Sequence, residues 1–204
     1  MFIVEAKAEK ASLGTKFLKK GEIIVLPTDT LYGLCADALN YKAVEKVYRL
    51  KNRNPQKPLI VLISDLNWLE KFFFIKPLPE KVKELFLLEE PLSILLPIKG
   101  FEWISRKSGK IAFRLVKKGF IKDFLKKYGR PIVAPSANWE GFPPAKDPFQ
   151  AFLYFGNQVK VYYNAGPLKG KPSTIVETFK GGNIKILREG DKKTVQKILE
   201  MVNN

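Results

Sequence analysis

Histidine is missing altogether from this 204-residue chain. Its absence removes the usual general base at neutral pH and the nitrogen ligand that zinc sites most often use. A single cysteine, Cys35, excludes an internal disulfide and fits a reducing compartment. Acidic residues are few, with 20 Asp and Glu against 36 Lys and Arg, which leaves a net charge of +16. Long apolar runs are lacking too. The N-terminal Met1-Phe2-Ile3-Val4 meets Glu5 at once, too soon for the apolar core of a secretory signal. The greasiest stretch, Phe86 to Ile98, is broken by Glu89, Glu90 and Pro91, short of the roughly 18 apolar residues that a bilayer span requires. These absences predict a soluble cytoplasmic protein with no membrane segment and no dedicated metal centre.

A hydrophobic content of 46% and an aromatic content of 12% suffice for one substantial core. The expectation is a single domain over residues 1–204, or at most two closely packed lobes. The positive field would draw phosphates, nucleotides or RNA toward the surface. A lysine-rich solvated surface of the kind found in thermophiles explains the same excess. The cations are spread along the whole chain and no RNA-binding signature accompanies them.

Strand-like and helix-like segments alternate without repeats or low-complexity linkers. Ser12 to Lys20 has helical spacing and Gly21 is placed to end it. Glu22 to Leu26 is a short strand leading into Pro27-Thr28-Asp29-Thr30. Asn40 is placed to cap a helix with Val44, Val47 and Tyr48 on its apolar face. Further helices are expected after Asp65, after Pro79, and over Phe120 to Tyr128, Asp147 to Phe155 and Lys192 to Val202. Strands are expected at Pro58 to Ile63, Leu92 to Ile98, Lys110 to Val116, Pro131 to Ala134, Lys160 to Tyr163, Ser173 to Phe179 and Ile184 to Arg188. The alternation predicts an α/β fold, an open twisted sheet of about seven strands with helices packed on it. Hairpin-like spacing near the C-terminus predicts a mixed sheet.

Three segments carry the chemistry: PTDTLYGL (Pro27 to Leu34), LKNRNPQKPL (Leu50 to Leu59) and PSAN (Pro135 to Asn138). Each sets hydroxyls, an amide or clustered cations where an apolar run gives way to turn residues. Lys51, Arg53 and Lys57 lie among prolines that disfavour helix, so the cations are expected on a shaped loop. Arginine grips phosphate bidentately and lysine adds a mobile point charge, a combination suited to a triphosphate. An exposed basic turn is the plainer account. Ser136 and Asn138 offer donors and acceptors to a phosphate or ribose, or else serve their own turn. Thr28, Thr30 and Tyr32 are equally ordinary strand residues.

The order PTDTLYGLCADA, K-N-R with KPLIVLI, APSANWEGFPPA, GKPSTIVE and ILREG closely resembles the YrdC/TsaC family of threonylcarbamoyl-AMP synthases, from about Gly21 to Gly190. The resemblance implies a YrdC-like fold and an enzyme that joins L-threonine, bicarbonate or CO2, and ATP into threonylcarbamoyl-adenylate and pyrophosphate. It also implies a separate tRNA-modifying transferase that receives the adenylate. Direct contact with tRNA is left open. Carried over by position, Lys51 and Arg53 form the family's K-x-R pair and stand as candidates for charge stabilisation at phosphorus. ATP is expected at Lys51, Arg53, Lys57, Arg114, Ser136, Asn138 and Arg188. Threonine is expected at Thr28, Thr30, Tyr32, Ser173 and Thr174. Mg²⁺ would arrive with the triphosphate, because no carboxylate cluster is present. Asp29 is the only acid inside a motif, and a turn or strand-end role suits it equally.

The chain departs from the family's pattern at two points. KPLIVLI lacks the histidine that some members carry after this segment, and IAFRLV lacks the proline that many have after the arginine. The sequence resembles the short, single-domain form. The competing expectation is a double-stranded RNA or tRNA binding protein of the same fold, without synthase activity.

Overall fold

Among the described residues, ten strands form one mixed sheet. They are β1 (Phe2–Glu5), β2 (Ile24–Pro27), β3 (Tyr32–Asp37), β4 (Ile60–Ile63), β5 (Leu92–Pro97), β6 (Lys110–Leu115), β7 (Ile132–Val133), β8 (Val161–Asn164), β9 (Thr174–Thr178) and β10 (Ile184–Arg188). Their spatial order is β1-β8-β2-β3-β7-β4-β6-β5-β9-β10. The structure, a computed structural model, describes residues 1–179 and 183–203. Parallel pairs such as β4/β6 and β5/β9 alternate with antiparallel ones such as β2/β3, β5/β6 and β9/β10. The mixed sheet is as expected, but ten strands replace about seven. Most of the excess lies in β1 and β3. In β1, four largely exposed residues pair in parallel with β8 at the sheet edge, so no apolar alternation announces the strand. In β3, the sequence YGLCAD holds no β-branched residue and has a glycine within it. Its extended form is imposed by its pairing with β2 and β7, not by local propensity.

The helices are α1 (Ala11–Lys19), α2 (Tyr41–Leu50), α3 (Asn67–Phe73), α4 (Glu80–Leu87), α5 (Glu102–Ser105), α6 (Phe120–Tyr128), α7 (Pro148–Phe155) and α8 (Lys192–Asn203). The Asn40 side chain accepts from the Ala43 amide at 3.1 Å, and Asp147 does the same for Gln150 at 2.8 Å, so two of these helices begin on satisfied N-caps. The period of the strands then divides the core in two. Val25, Val61, Ile63 and Phe113 face a cluster shared with α2, α3, α4 and α7. Ile24, Leu26, Leu62 and Tyr163 face the opposite way, under α1 and α6.

This second layer is incomplete. The cluster under α1 and α6 takes its sheet residues from the half that runs from β1 to β4, and none from β5, β6, β9 or β10. Leu95, Ala112, Arg114 and Ile175, which alternate with core residues of those strands, therefore point to a face that no helix covers. The functional cavity lies there.

Where the second layer does cover the sheet, it fits closely. The Gly14 amide donates to the Tyr163 hydroxyl at 2.9 Å. A Cβ on Gly14 would lie 2.8 Å from that oxygen and 2.9 Å from the Phe124 ring. Gly14→Ala should therefore destabilise the fold by about 1–3 kcal/mol through overpacking, although alanine is the better helix former by about 1 kcal/mol. The expected readout is a lower urea midpoint with an unchanged m value. An equal or higher midpoint would contradict it.

Candidate active site

The chain turns sharply between β2 and β3, and Thr28 is the staple of that turn. Its Oγ1 accepts from the amides of Thr30 and Leu31, both at 3.2 Å, and donates to the Leu31 carbonyl at 2.6 Å. With that proton spent, the 3.1 Å contact between the two threonine hydroxyls leaves Thr30 as donor. Thr30 Oγ1 in turn accepts from Arg114 Nη1 at 3.1 Å. After β7, residues 135–138 continue to pair with β3. Leu34 N donates to Pro135 O, Ala137 N donates to Tyr32 O, and Ser136 forms a bridge opposite Gly33. A Cβ on Gly33 would crowd Thr28 Cγ2 at 3.2 Å and Cys35 Sγ at 3.3 Å, so the missing side chain keeps this junction open.

These segments enclose a cavity of about 320 Å³ on the bare half of the sheet. Thr28, Thr30, Tyr32, Arg53, Arg114, Ser136, Ser173 and Arg188, all anticipated from the sequence, line it. Its floor is apolar, formed by Leu95, Ala112 and Ile175. Three guanidiniums therefore converge on one recess. Arg53 donates to Pro58 O at 2.9 Å. Arg114 is 3% exposed. Arg188, at the rim, donates through Nε and Nη2 to Ser173 O at 3.1 and 2.9 Å. Partial burial, then the charges of Arg114 and Arg53, hold the Arg188 pKa below its ordinary value. Arg53 Nε and Arg114 Nε are buried without a hydrogen-bond partner. Unspent donors among mutually repelling cations are what a polyanionic ligand would satisfy.

Lys51, Lys57, Asn138 and Thr174 do not line the cavity. The plainer account, an exposed basic turn, fails for Lys51, which caps the C-terminus of α2 and is only 2% exposed. Its ammonium donates to Ser136 O at 2.5 Å, Asn138 O at 2.7 Å and Asn138 Oδ1 at 3.2 Å. Every proton is spent on the turn that carries Ser136. Asn138 is equally committed, because Oδ1 also accepts from Ser136 Oγ and Nδ2 donates to Trp139 O and Phe142 O. Desolvation, followed by the Arg53 charge, lowers the Lys51 pKa to about 7. Lys57 is exposed and pairs with Glu140 at 2.5 Å. Thr174 is fully buried, and its hydroxyl accepts from Gly190 N at 3.1 Å.

Tyr32 lines the cavity, but its side chain belongs to the core on the covered face and its hydroxyl is already engaged. It donates to Gly166 O at 2.7 Å and accepts from Ala165 N at 3.0 Å, tying β3 to the segment that leads into β9. Further along that segment, a Cβ on Gly170 would lie 2.1 Å from Thr30 O. Sequence reasoning passed over Gly33, Gly170, and Ser93, whose hydroxyl meets that of Ser173 at 2.9 Å. The glycine within YGLCAD was the one visible sign.

A mixed α/β sheet with a cationic, hydroxyl-lined recess on its open half-face defines an enzyme class that handles phosphorylated ligands. The Sua5/YciO/YrdC family model, described as Telomere recombination, matches residues 16–190, and the chain belongs to that family. It is 35% identical to a protein of Methanocaldococcus jannaschii named putative threonylcarbamoyl-AMP synthase, over 92% of this chain and 91% of that one. The structure of P. abyssi Sua5 complexed with L-threonine superposes with a TM-score of 0.88 at 25% identity, covering 99% of this chain and 62% of that longer chain. E. coli YciO shares the fold, with a TM-score of 0.80 at 20% identity and coverage of 95% and 98%.

Lys51→Met should leave Asn138 O without its donor, at about 1–3 kcal/mol for that unpaired group, while Ser136 O and Asn138 Oδ1 each lose one of two donors. Amide exchange of Asn138 and Ala145 should accelerate in the variant. Between about pH 7 and the ordinary lysine value, the unfolded chain holds a proton that the folded chain has released. Lys51 therefore makes wild-type stability rise with pH across that window and stay level below it. Lys51→Met should lose this component, seen by comparing urea midpoints at pH 7 and 9.5. Equal pH slopes in the two proteins would contradict the burial of Lys51.

Proposed function

We propose that this chain is a threonylcarbamoyl-AMP synthase, an ATP-dependent nucleotidyltransferase that forms L-threonylcarbamoyladenylate and pyrophosphate from L-threonine, bicarbonate or CO2, and ATP. The observation that carries the reading is the convergence of Arg53, Arg114 and Arg188 on one hydroxyl-lined cavity. It is supported by relatives that bear this name across nearly the whole chain and by the threonine complex of a similar structure. They do not favour an RNA-binding protein without synthase activity.

The chemistry fits the residue types. Once the threonine amine has lost its proton and captured CO2, a carbamate oxygen attacks the α-phosphorus of ATP and pyrophosphate departs. Negative charge then moves over the phosphoryl oxygens, where fixed guanidiniums stabilise it without reorganising. Arg53 and Arg114 retain free donors for this task. Ser136, with its proton held by Asn138, presents lone pairs to the cavity and suits a ribose hydroxyl. Thr28 and Thr30 flank Arg114 and form the threonine side. Lys51 and Asn138 serve by fixing the Ser136 turn. The lining residues include no carboxylate, so Mg²⁺ enters on the phosphates of ATP. The adenylate is then consumed by a tRNA-modifying transferase, and a direct tRNA contact belongs to the same proposal. Among the described residues, no helix is long and apolar enough to cross a membrane, in keeping with work on a cytoplasmic RNA.

Pyrophosphate release should require ATP, Mg²⁺, threonine and bicarbonate together. Release without threonine or bicarbonate, or none from folded protein, would overturn the assignment. Arg114→Ala should lower kcat by about 10²- to 10³-fold, as removal of one transition-state donor does elsewhere. A change in threonine KM alone, with kcat preserved, would remove Arg114 from the charge-stabilising role.

A further inference from the structure

The acid inside the PTDT turn faces the arginine cluster from behind. Asp29 Oδ1 lies 3.5 Å from Arg114 Nη2. Among the described residues, this is the one ion-pair contact between a carboxylate and any of Arg53, Arg114 and Arg188. It is a contact without a hydrogen bond, since Asp29 Oδ1 is buried and unpartnered and Arg114 Nε is likewise unpartnered. Arg114 spends Nη1 on Thr30 at 3.1 Å and nothing on Asp29. The carboxylate sits outside the cavity lining, against a neighbouring recess that also holds Glu89, Glu90 and Lys117. Both members of the pair are little exposed, with side chains 4% and 13% accessible, so solvent screens their attraction weakly.

The arrangement separates charge from hydrogen bonding. A bidentate carboxylate would neutralise Arg114 and also consume its donors. At 3.5 Å the Coulomb attraction persists while no donor of the guanidinium is spent on the carboxylate. Three unopposed guanidiniums would hold a polyanion firmly and release it slowly. An enzyme that produces pyrophosphate beside them must let it go.

We propose that Asp29 is a positioning residue that acts through Arg114, offsetting part of the cavity's positive charge so that the polyanionic product leaves while the arginine donors stay free. This rests on the synthase reading and deepens it, because it assigns control of product affinity to a residue that does not touch the product. Removing the carboxylate raises the positive potential at the cavity. Asp29→Asn therefore binds anions more tightly, and the more so the higher their charge.

The test is calorimetric titration with inorganic pyrophosphate alone, without turnover, on wild type, Asp29→Asn and Asp29→Glu. The expected result is about tenfold tighter binding by Asp29→Asn in 50 mM salt, the scale of one charge removed from a weakly screened site. The difference should shrink in 500 mM salt, and Asp29→Glu should remain near wild type. In the turnover assay, the pyrophosphate inhibition constant of Asp29→Asn falls in parallel. A merely structural role would weaken pyrophosphate binding or leave it unchanged, and either result in Asp29→Asn overturns the proposal while leaving the synthase reading intact. Wild-type protein that binds no pyrophosphate would overturn both. Asp29→Ser, also uncharged, gives the same readout should the asparagine variant not fold.

Discussion

The buried ammonium of Lys51 and the three oxygens around it hold together parts of the chain that are 85 and 87 residues apart. A lysine at the end of a helix would ordinarily reach for solvent. Here its charge is taken out of water, and Ser136 O, Asn138 O and Asn138 Oδ1 offset only part of that cost, so its pKa falls to about 7. The backbone joins in, since Glu140 N donates to Lys51 O at 2.7 Å. The K-x-R and S-x-N segments thus act as one polar joint. Ser136 stands opposite Gly33 because this joint holds it there, and Arg53 enters the cavity because the residue two before it is anchored.

The second constraint is the unequal cover of the sheet. Helices cover most of one face and about half of the other, leaving alternate side chains of β5, β6 and β9 with no partner layer. In an ordinary fold such positions would be polar and solvated. In this chain Leu95, Ala112 and Ile175 make an apolar floor from which Arg114 rises, while Lys110 and Glu177 on the same strands pair with each other outside the cavity lining. Together with Arg53 and Arg188, Arg114 creates a field that is incomplete without an anion. The pKa of Arg188 is lowered first by its partial burial and then by the charges of Arg114 and Arg53.

The sequence disclosed the parts whose cause is local. The 3.6-residue spacing of Val44, Val47 and Tyr48 and the Asn40 cap predicted α2, and strands β4, β5 and β6 were visible as apolar runs. Strands made by pairing alone were not: β3 is extended because β2 and β7 flank it, and in YGLCAD Tyr32 is the one strong strand former. The site divides along the same line. Which residues matter was legible from motif order, and most of them do meet at one cavity. What each does was less so. Lys51 reads as a phosphate ligand, yet its ammonium is hydrogen-bonded to Ser136 and Asn138, and Tyr32 reads as a threonine contact while its hydroxyl bonds the backbone at Ala165 and Gly166. Burial and hydrogen-bond exhaustion are tertiary properties, and no spacing rule reports them.

The strand that supplies Arg188 ends the sheet, and its register with β9 shifts between Ile186 and Arg188. A flat terminal strand presents its free amides and carbonyls as a template on which another chain adds a strand. A bulge bends and twists the strand, and so spoils that template. The irregularity beside the cavity-facing guanidinium thus also guards against edge-to-edge aggregation. Regularising β10 to stiffen the binding wall would expose this protein to self-assembly.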